Sequence, residues 1–264
     1  MPQPLRVLIT GICFLLFSVG SGISAITILP FIRLTSANEM ERQVRTRSFV
    51  HKSFRRMFRF VDLAGLCTLR VRGADTAAPK PPFVLIANHP SLIDVVALLA
   101  AVEGAGVIVK QAVVNSALIG SVARAANYLP APAPGGNVVG IAPLVERMVQ
   151  RLEAGESLII FPEGTRSPIG GVHRFRRGAF EAAARAGVPV WPALIQTSEA
   201  TLRSHQSWWE VPRAKLLLNV DFGEPFDVDP ETNNRKLTRK VQNGYERTSG
   251  LEQGSARWRG PFDE

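Results

Sequence analysis

The sequence predicts an α/β fold, in which a mostly parallel sheet is flanked by helices and preceded by an apolar helix and a basic amphipathic helix. Three observations support this prediction. Short apolar runs alternate with longer helical patterns from residue 83 onward, residues 7–32 are predominantly apolar without a charged side chain, and residues 33–72 are strongly basic. Such alternation is typical of a parallel sheet covered by helices on both faces. The 264 residues are enough for one such domain with an appendage.

The apolar run at residues 7–32 contains no Asp, Glu, Lys or Arg. It exceeds the roughly 20 residues that a helix needs to cross a bilayer, so residues 1–35 are predicted to anchor the chain in a membrane. Eight Arg and Lys residues follow it between positions 33 and 59, against Arg6 alone before it. This bias places the following domain on the cytoplasmic side of an inner or plasma membrane. It also disfavours a cleaved signal peptide, whereas a spanning helix and a re-entrant helix stay open as alternatives.

The basic stretch, residues 36–68, has the periodicity of an amphipathic helix. Its apolar residues recur at i, i+4, i+7, i+8 and i+11, which places them on one helix face: Val50, Phe54, Met57, Phe58 and Val61. A basic helix with such a face suits the interface of a membrane that contains anionic lipids. Packing of the same face on the core of the domain is the alternative, and the two roles are compatible.

The elements of the predicted domain, residues 69–248, follow one another in a regular order. Strands are predicted at 83–87, 107–109, 157–161, 188–195 and 215–220, and helices at 92–102, 112–126, 139–153 and 180–186. Residues 198–212 are predicted to form a loop, residues 231–247 a terminal helix and residues 249–264 a polar tail. Ligands of parallel sheets bind beyond the carboxyl ends of the strands. The segments NHPSLID, residues 88–94, and FPEGTRS, residues 161–167, fall at such ends.

Charge distribution and missing motifs exclude several classes of function. The net charge is +9, but residues 73–264 hold twenty Lys and Arg against nineteen Asp and Glu, so the domain is nearly neutral. Without a basic domain face or a nucleic-acid-binding motif, we expect no nucleic-acid partner. The motifs of serine hydrolases, phosphate-loop enzymes, zinc hydrolases and dinucleotide-binding enzymes are absent from the sequence. Cys13 and Cys67 predict neither a disulfide nor a metal cluster.

His89 and Asp94 are the candidate catalytic pair. A neutral imidazole can take a proton from a hydroxyl when a carboxylate holds its other ring nitrogen. Five residues along a regular helix would separate the two side chains by about 140°, so His89 is predicted to precede the helix and Asp94 to reach back from its first turn. Pro90 and Ser91 suit such a helix start. A capping histidine beside a first-turn aspartate is the structural alternative.

FPEGTRS forms a second polar corner at the end of an apolar strand. Arg166 has the side chain best shaped to bind phosphate through two hydrogen bonds. Glu163 cannot hold an anion, so we expect it to orient Arg166 or to accept a hydrogen bond from an acceptor hydroxyl. A simple ion pair within the loop is the alternative.

NHPSLID, FPEGTRS and VPVWPALIQ, residues 188–196, together resemble three ordered motifs of the glycerolipid acyltransferase family, whose best-known members acylate lysophosphatidic acid. Lys110 and Gly120 also fall where members of this family often carry Lys and Gly. The resemblance implies a membrane-bound enzyme that transfers a fatty acyl group from a thioester, acyl-CoA or acyl carrier protein, to the hydroxyl of a lysophospholipid. Phosphatidic acid, made from 1-acylglycerol-3-phosphate, is the implied product.

The resemblance also assigns roles to residues. It implies that His89 is the general base and that Asp94 orients it. It implies that the acceptor is bound by the residues that match the third motif, with Lys110 beside them: Glu163, Gly164, Thr165 and Arg166. It implies no metal ion and no cofactor besides the acyl-CoA or acyl-carrier-protein co-substrate, because a thioester is already activated.

One departure from the family pattern concerns the acceptor. The second motif of the family usually ends in an arginine, but the corresponding stretch NYLPAPAPGGN, residues 127–137, has no basic residue. Lys110 or the cluster Arg174, Arg176 and Arg177 could supply the charge. A different acceptor, such as a lyso-aminolipid or a glycolipid, therefore stays open, as do a silent lipid-binding protein and a thioesterase.

Overall fold

A single mixed sheet forms the centre of the protein. The computed structural model describes residues 1–117, 119–131, 141–203, 206–231, 234–249 and 258–262. Within these residues the sheet has seven strands: β1 Cys67–Arg72, β2 Val84–Ala87, β3 Gly106–Lys110, β4 Leu129–Ala131, β5 Leu158–Ile160, β6 Val190–Thr197 and β7 Leu216–Phe222. Their order across the sheet is β1-β7-β6-β2-β5-β3-β4.

The sheet is parallel except at one pair of strands. Strands β2, β3, β4, β5 and β6 run in the same direction, and β7 is antiparallel to β6 and parallel to β1. The prediction of a mostly parallel sheet is confirmed. Because β7 reverses direction, the start of β7 lies at the same end of the strands as the carboxyl ends of β2, β5 and β6. We call this end of the sheet, as distinct from its outer strands, the site edge.

Helices cover both faces of the sheet, as expected for strands buried on both sides. The helices are α1 Gln3–Ile26, α2 Ile28–Thr35, α3 Glu39–Leu63, α4 Ala74–Ala77, α5 Asp94–Ala101, α6 Gln111–Val114, α7 Gly120–Ala125, α8 Ile141–Glu153, α9 Gly178–Ala186 and α10 Asn234–Ser249. Val84 and Ile86 of β2 pack into the core formed with α8, α9 and α10. Leu85 and Ala87 point to the opposite core, which includes residues of α3 and α5. This alternation follows from the period of two in a strand.

The main differences from the sequence-based elements concern one helix and two strands. The helix predicted at 112–126 is divided into α6 and α7, because the chain turns at Asn115 and Ser116, residue types that favour turns. Gly120 permits the close return, since a Cβ there would lie 2.4 Å from the Val114 carbonyl oxygen. The edge strands β1 and β4 were not predicted. In the predicted polar tail, residues 250–257, 263 and 264 lie outside the described residues.

Helix α3 is built into the domain. Val50, Phe58 and Val61 are buried in the core that contains Leu85 of β2, and Phe54 packs against that core. Its apolar face therefore takes the alternative role expected for it, packing on the domain's own core. The basic residues Lys52, Arg55, Arg56 and Arg59 are exposed.

Not every arginine of the basic stretch is free to meet a membrane. The buried guanidinium of Arg47 forms an ion pair with Glu156 and donates a hydrogen bond of 2.9 Å to the Ala126 carbonyl oxygen. Arg47 therefore ties α3 to Ala126 and Glu156 of the following domain.

The N-terminal apolar segment consists of α1 and α2, with a break at Thr27. The most apolar stretch of 18 residues within Gln3–Thr35 has a mean hydropathy of 2.2, and no residue of that stretch is buried. This length and composition suffice to cross a membrane, although helices in protein cores and signal sequences meet the same criterion. Helix α1 lies against the domain at several points, because Arg6 donates hydrogen bonds to the carbonyl oxygens of Pro212 and Ala214, and Phe17 stacks on Phe54.

Candidate active site

His89 and Asp94 are in direct contact at the site edge. The Nδ1 nitrogen of His89 lies 2.9 Å from the Oδ2 oxygen of Asp94. An ionised carboxylate only accepts hydrogen bonds, so this contact assigns the proton to Nδ1 and leaves Nε2 as the acceptor nitrogen. The His89 side chain is 16% exposed and stacks on Phe161, with ring centroids 4.2 Å apart. The imidazole is thus held on one side by a carboxylate and on one face by an aromatic ring.

Asp94 is the first residue of α5, and it is fully buried. The helix begins two residues later than predicted, because residues 91–93 form a turn in which the backbone N–H of Ser91 donates to Asp94 Oδ2 at 2.6 Å. The Ser91 hydroxyl donates to Oδ1 at 2.5 Å. Burial raises the pKa of Asp94, and the hydrogen bonds from His89 and Ser91 offset part of that effect. A carboxylate at a helix N-terminus is also favoured by the helix dipole.

Glu163 holds the loop after β5 to the loop after β2. Its Oε1 oxygen accepts hydrogen bonds from the His89 backbone N–H at 3.0 Å and from the Ser167 hydroxyl at 2.5 Å. Its Oε2 oxygen accepts from the backbone N–H of His173 at 2.6 Å. Burial raises the pKa of Glu163, while these donors lower it. The carboxylate therefore positions the backbone of His89, which differs from the expectation that it orients Arg166 or meets a substrate hydroxyl.

Arg166 lies on the same loop and contacts a third segment. Its Nη1 nitrogen donates to the Leu202 carbonyl oxygen at 2.8 Å, and the same oxygen accepts from the Leu92 N–H at 3.2 Å. Leu202 has a φ of +50°, which is uncommon for a residue other than glycine. A backbone carbonyl thus links the arginine of FPEGTRS to the turn that follows His89.

Gly164 allows a second guanidinium to approach the loop. Gly164 has a φ of +69°, and a Cβ added there would lie 2.9 Å from the Cζ carbon of Arg176. Arg176 is exposed, as is Thr165. Lys110 is also exposed, at the end of β3, and the described contacts do not join it to His89 or Arg166. Of the two replacements considered for the missing arginine, Arg176 is therefore the one that the fold brings to the FPEGTRS loop.

The sequence analysis assigned no role to Asn88 and Ser167, and it placed Ser91 only at the start of the helix. Asn88 exchanges two hydrogen bonds with the backbone of Ile195 in β6, at 2.8 and 2.7 Å. Ser91 and Ser167 hold Asp94 and Glu163, and the Ser167 N–H also donates to the His89 carbonyl oxygen at 2.7 Å. Small polar residues at a strand end are a signal of such side-chain-to-backbone contacts, but they do not specify the partner.

Two expectations concern residues or groups outside this network. Residues 132–137 of the stretch without basic residues lie outside the described part of the chain. Among the residues that the structure describes, no group of three or more His, Cys, Asp and Glu side chains could hold a metal ion.

Comparison with known proteins gives consistent matches. Residues 68–196 match the family model named Acyltransferase. A chloroplastic 1-acyl-sn-glycerol-3-phosphate acyltransferase of Brassica napus is 28% identical over 201 residues, which cover 70% of this chain and 52% of the relative. The human alpha form is 27% identical over 132 residues, covering 49% of this chain and 46% of the relative. A lyso-ornithine lipid O-acyltransferase of Brucella abortus is 26% identical over 246 residues, covering 83% of this chain and 87% of the relative.

The fold also matches a solved structure. The crystal structure of the 1-acyl-sn-glycerophosphate acyltransferase PlsC from Thermotoga maritima superposes with a TM-score of 0.71, at 22% identity, and covers 96% of this chain and all of that chain. The chain spans about half the length of the plant and human relatives named above. The matched region includes β2, β5 and the loops that hold His89, Asp94 and Glu163. Residues 68–196 are therefore similar in sequence to the acyltransferase family model, and the fold of the chain is similar to that of the PlsC structure.

Proposed function

We propose that the protein is an O-acyltransferase that moves a fatty acyl group from a thioester, acyl-CoA or acyl carrier protein, to the hydroxyl of a lysophospholipid. The contact between His89 and Asp94 carries this proposal. It lies beyond the carboxyl end of β2, where ligands of parallel sheets bind, and within the region that matches the family model.

The proposed reaction uses His89 as a general base. Nε2 takes the proton of the acceptor hydroxyl as the hydroxyl oxygen attacks the thioester carbonyl carbon. The imidazolium that forms is stabilised by Asp94, 2.9 Å from its other nitrogen. When the C–S bond breaks, the imidazolium returns the proton to the departing sulfur, giving the lipid ester and a free thiol. Glu163 and Ser167 act as positioning residues, because both bond the backbone N–H of His89.

We propose 1-acylglycerol-3-phosphate as the acceptor, with its phosphate bound by Arg166. Support comes from the names of the plant and human relatives and from the guanidinium of Arg176, which lies against Gly164 of the same loop. A guanidinium pair can bind a phosphate through several parallel hydrogen bonds.

A lyso-ornithine lipid is the second candidate acceptor. Two observations favour it: the Brucella abortus relative is matched over 87% of its length, and residues 127–137 lack a basic side chain. Purified protein is given both lysolipids, with either acyl-CoA or acylated acyl carrier protein as the donor. It should form one diacyl product, which mass spectrometry identifies. Free thiol released without a lipid ester would instead indicate a thioesterase.

The variant His89→Gln tests the catalytic role. Glutamine can keep a hydrogen bond to Asp94 but is no base at neutral pH, so the rate of acyl transfer should fall by about 10²- to 10⁴-fold. The midpoint of thermal unfolding and binding of the lysolipid should stay close to those of the parent. Acyl transfer at the parental rate would contradict the proposal and would leave a lipid-binding protein whose site has another purpose.

We also propose that the chain is membrane-associated, with its domain on the cytoplasmic side and α1–α2 inserted in one leaflet. Arg6, at the start of the apolar segment, contacts Ala214 of the domain, and Thr35, at its end, contacts Arg45 of α3. Both ends of the segment therefore lie at the domain, whereas a crossing helix would place its two ends on opposite sides of the membrane. Cysteines introduced as Pro2→Cys and Asp75→Cys should both react with an impermeant maleimide in inverted membrane vesicles and not in intact cells. Labelling of the two positions from opposite sides would indicate a spanning helix.

A further inference from the structure

Residues 206–214, between β6 and β7, lie against the first half of α1. The side chain of Gln3 donates to the Val211 carbonyl oxygen at 2.8 Å, and Arg6 donates to the carbonyl oxygens of Pro212 and Ala214 at 2.9 and 2.5 Å. Arg6 is buried, although it precedes a long apolar run. These bonds fix the polar start of α1 to the site edge, where β7 begins.

The ring of Trp208 continues this contact along α1. Trp208 packs on Phe14, with ring centroids 6.2 Å apart, and a Cβ on Gly11 would lie 3.3 Å from its Cζ3 atom. Gly11 therefore provides the space in which the indole rests on the helix. Trp209 packs edge-on against Trp208, with ring centroids 5.6 Å apart.

The two indoles still leave a large apolar surface uncovered. Trp208 is 44% exposed and Trp209 is 55% exposed. Leu8 and Leu15, which neighbour Gly11 on the helix at i−3 and i+4, are 59% and 61% exposed. We call Leu8, Leu15, Trp208 and Trp209 the tryptophan patch. Exposed apolar patches of this kind mark surfaces that meet a protein or a membrane.

We propose that the tryptophan patch is a membrane-docking surface, in which Trp208 and Trp209 lie at the boundary between lipid headgroups and acyl chains. The patch is continuous with the exposed apolar side chains of α1, within a segment that is apolar enough to enter a bilayer. Tryptophan is enriched at this boundary because its ring is apolar and its N–H is polar. The cationic side chains of Arg55, Arg56 and Arg59 are exposed on the neighbouring helix α3, which suits anionic headgroups.

The connection that carries Trp208 and Trp209 also contacts the site. Leu202, in the same β6–β7 connection as Trp208, holds Arg166 and the turn after His89 through its carbonyl oxygen. This inference rests on the proposed membrane association but not on acyl transfer, since a lipid-binding protein would need the same surface.

Fluorescence quenching by brominated lipids tests the proposal on the full chain. The protein is reconstituted in vesicles of phosphatidylcholine and phosphatidylglycerol, with and without bromine atoms near the headgroup end of the acyl chains. Trp191 is 2% exposed and Trp258 is 7% exposed, so quenchable emission should come from Trp208 and Trp209. We expect emission to fall in brominated vesicles, and the double variant Trp208→Phe with Trp209→Phe to lose this response.

The matched comparison makes each outcome decisive. Phenylalanine keeps an apolar ring against Gly11 and Phe14, and thermal unfolding checks that the double variant is folded. Equal quenching of parent and double variant would overturn the proposal, because the signal would then come from Trp191 or Trp258. If the parent protein binds to the vesicles but its emission is not quenched, the proposal is also overturned. A second copy of the chain that covers the patch would give this result.

Discussion

Replacing Asp94 with asparagine separates the chemical role of its charge from its structural role. In the parent, Oδ2 accepts from His89 Nδ1 and from the Ser91 N–H, and Oδ1 accepts from the Ser91 hydroxyl. The amide oxygen of the introduced asparagine could keep the first two bonds. Its NH₂ group would meet the Ser91 hydroxyl, which can rotate and accept instead of donating. We therefore expect the fold to survive Asp94→Asn, at a cost of about 1 kcal/mol for exchanging charged hydrogen bonds for neutral ones.

The loss of activity should be much larger. In the proposed mechanism His89 becomes an imidazolium, whose charge lies close to that of the carboxylate, since Nδ1 and Oδ2 are 2.9 Å apart. Two unit charges about 4 Å apart attract by about 4 kcal/mol at an effective dielectric constant of about 20. Removing this attraction from the transition state corresponds to a loss of about 10³-fold in rate.

The assay is kcat/KM for thiol release and lipid-ester formation, measured beside the midpoint of thermal unfolding. Asp75→Asn is the matched control, because Asp75 is exposed on α4 and lies outside the described contacts of His89. It should keep parental activity. A folded Asp94→Asn variant with kcat/KM within about 10-fold of the parent would refute the assignment of a charge-stabilised imidazolium.

Three further predictions follow from the same contacts. Arg166→Lys keeps the positive charge but loses the planar guanidinium group, so KM for an anionic acceptor should rise about 10-fold with a smaller change in kcat. Unchanged initial rates at a low acceptor concentration would contradict phosphate binding by Arg166. Glu163→Gln leaves the His173 N–H facing an amide NH₂ in place of a buried carboxylate oxygen. This change should lower the free energy of unfolding by about 1 kcal/mol and also reduce activity. An unfolding midpoint equal to that of the parent would show that this contact is dispensable. Burial raises the pKa of Cys67 to about 12, so iodoacetamide at pH 8 should modify Cys67 only after denaturation. Peptide mass spectrometry measures this modification, and labelling of Cys67 in the folded protein would contradict its burial.

Features written in short stretches of chain were predictable from the residues. The spacing of His89 and Asp94 predicted a reach from the first turn of a helix back to the preceding turn, and the structure has that contact. Alternation of apolar runs predicted the parallel core of the sheet, because each strand is buried on both faces and so reads as apolar throughout. The apolar face of α3 was visible as well, since helical periodicity is a local property.

The partners of those features depend on residues far apart in sequence. Glu163 bonds the backbone of His89 across 74 positions, and Arg6 bonds Ala214 across 208 positions. Periodicity shows which face of an element is apolar but not what covers that face, so α3 could equally have faced a membrane. For the same reason the positions of β1 and β7 within the sheet could not be predicted. Local patterns thus specified most of the elements and the contact between His89 and Asp94. Long-range packing specified how the loops around His89 and Asp94 are held and where α1 lies. The physical reason is that a buried carboxylate or carbonyl oxygen needs a hydrogen-bond donor, and only the assembled fold decides which donor is near it.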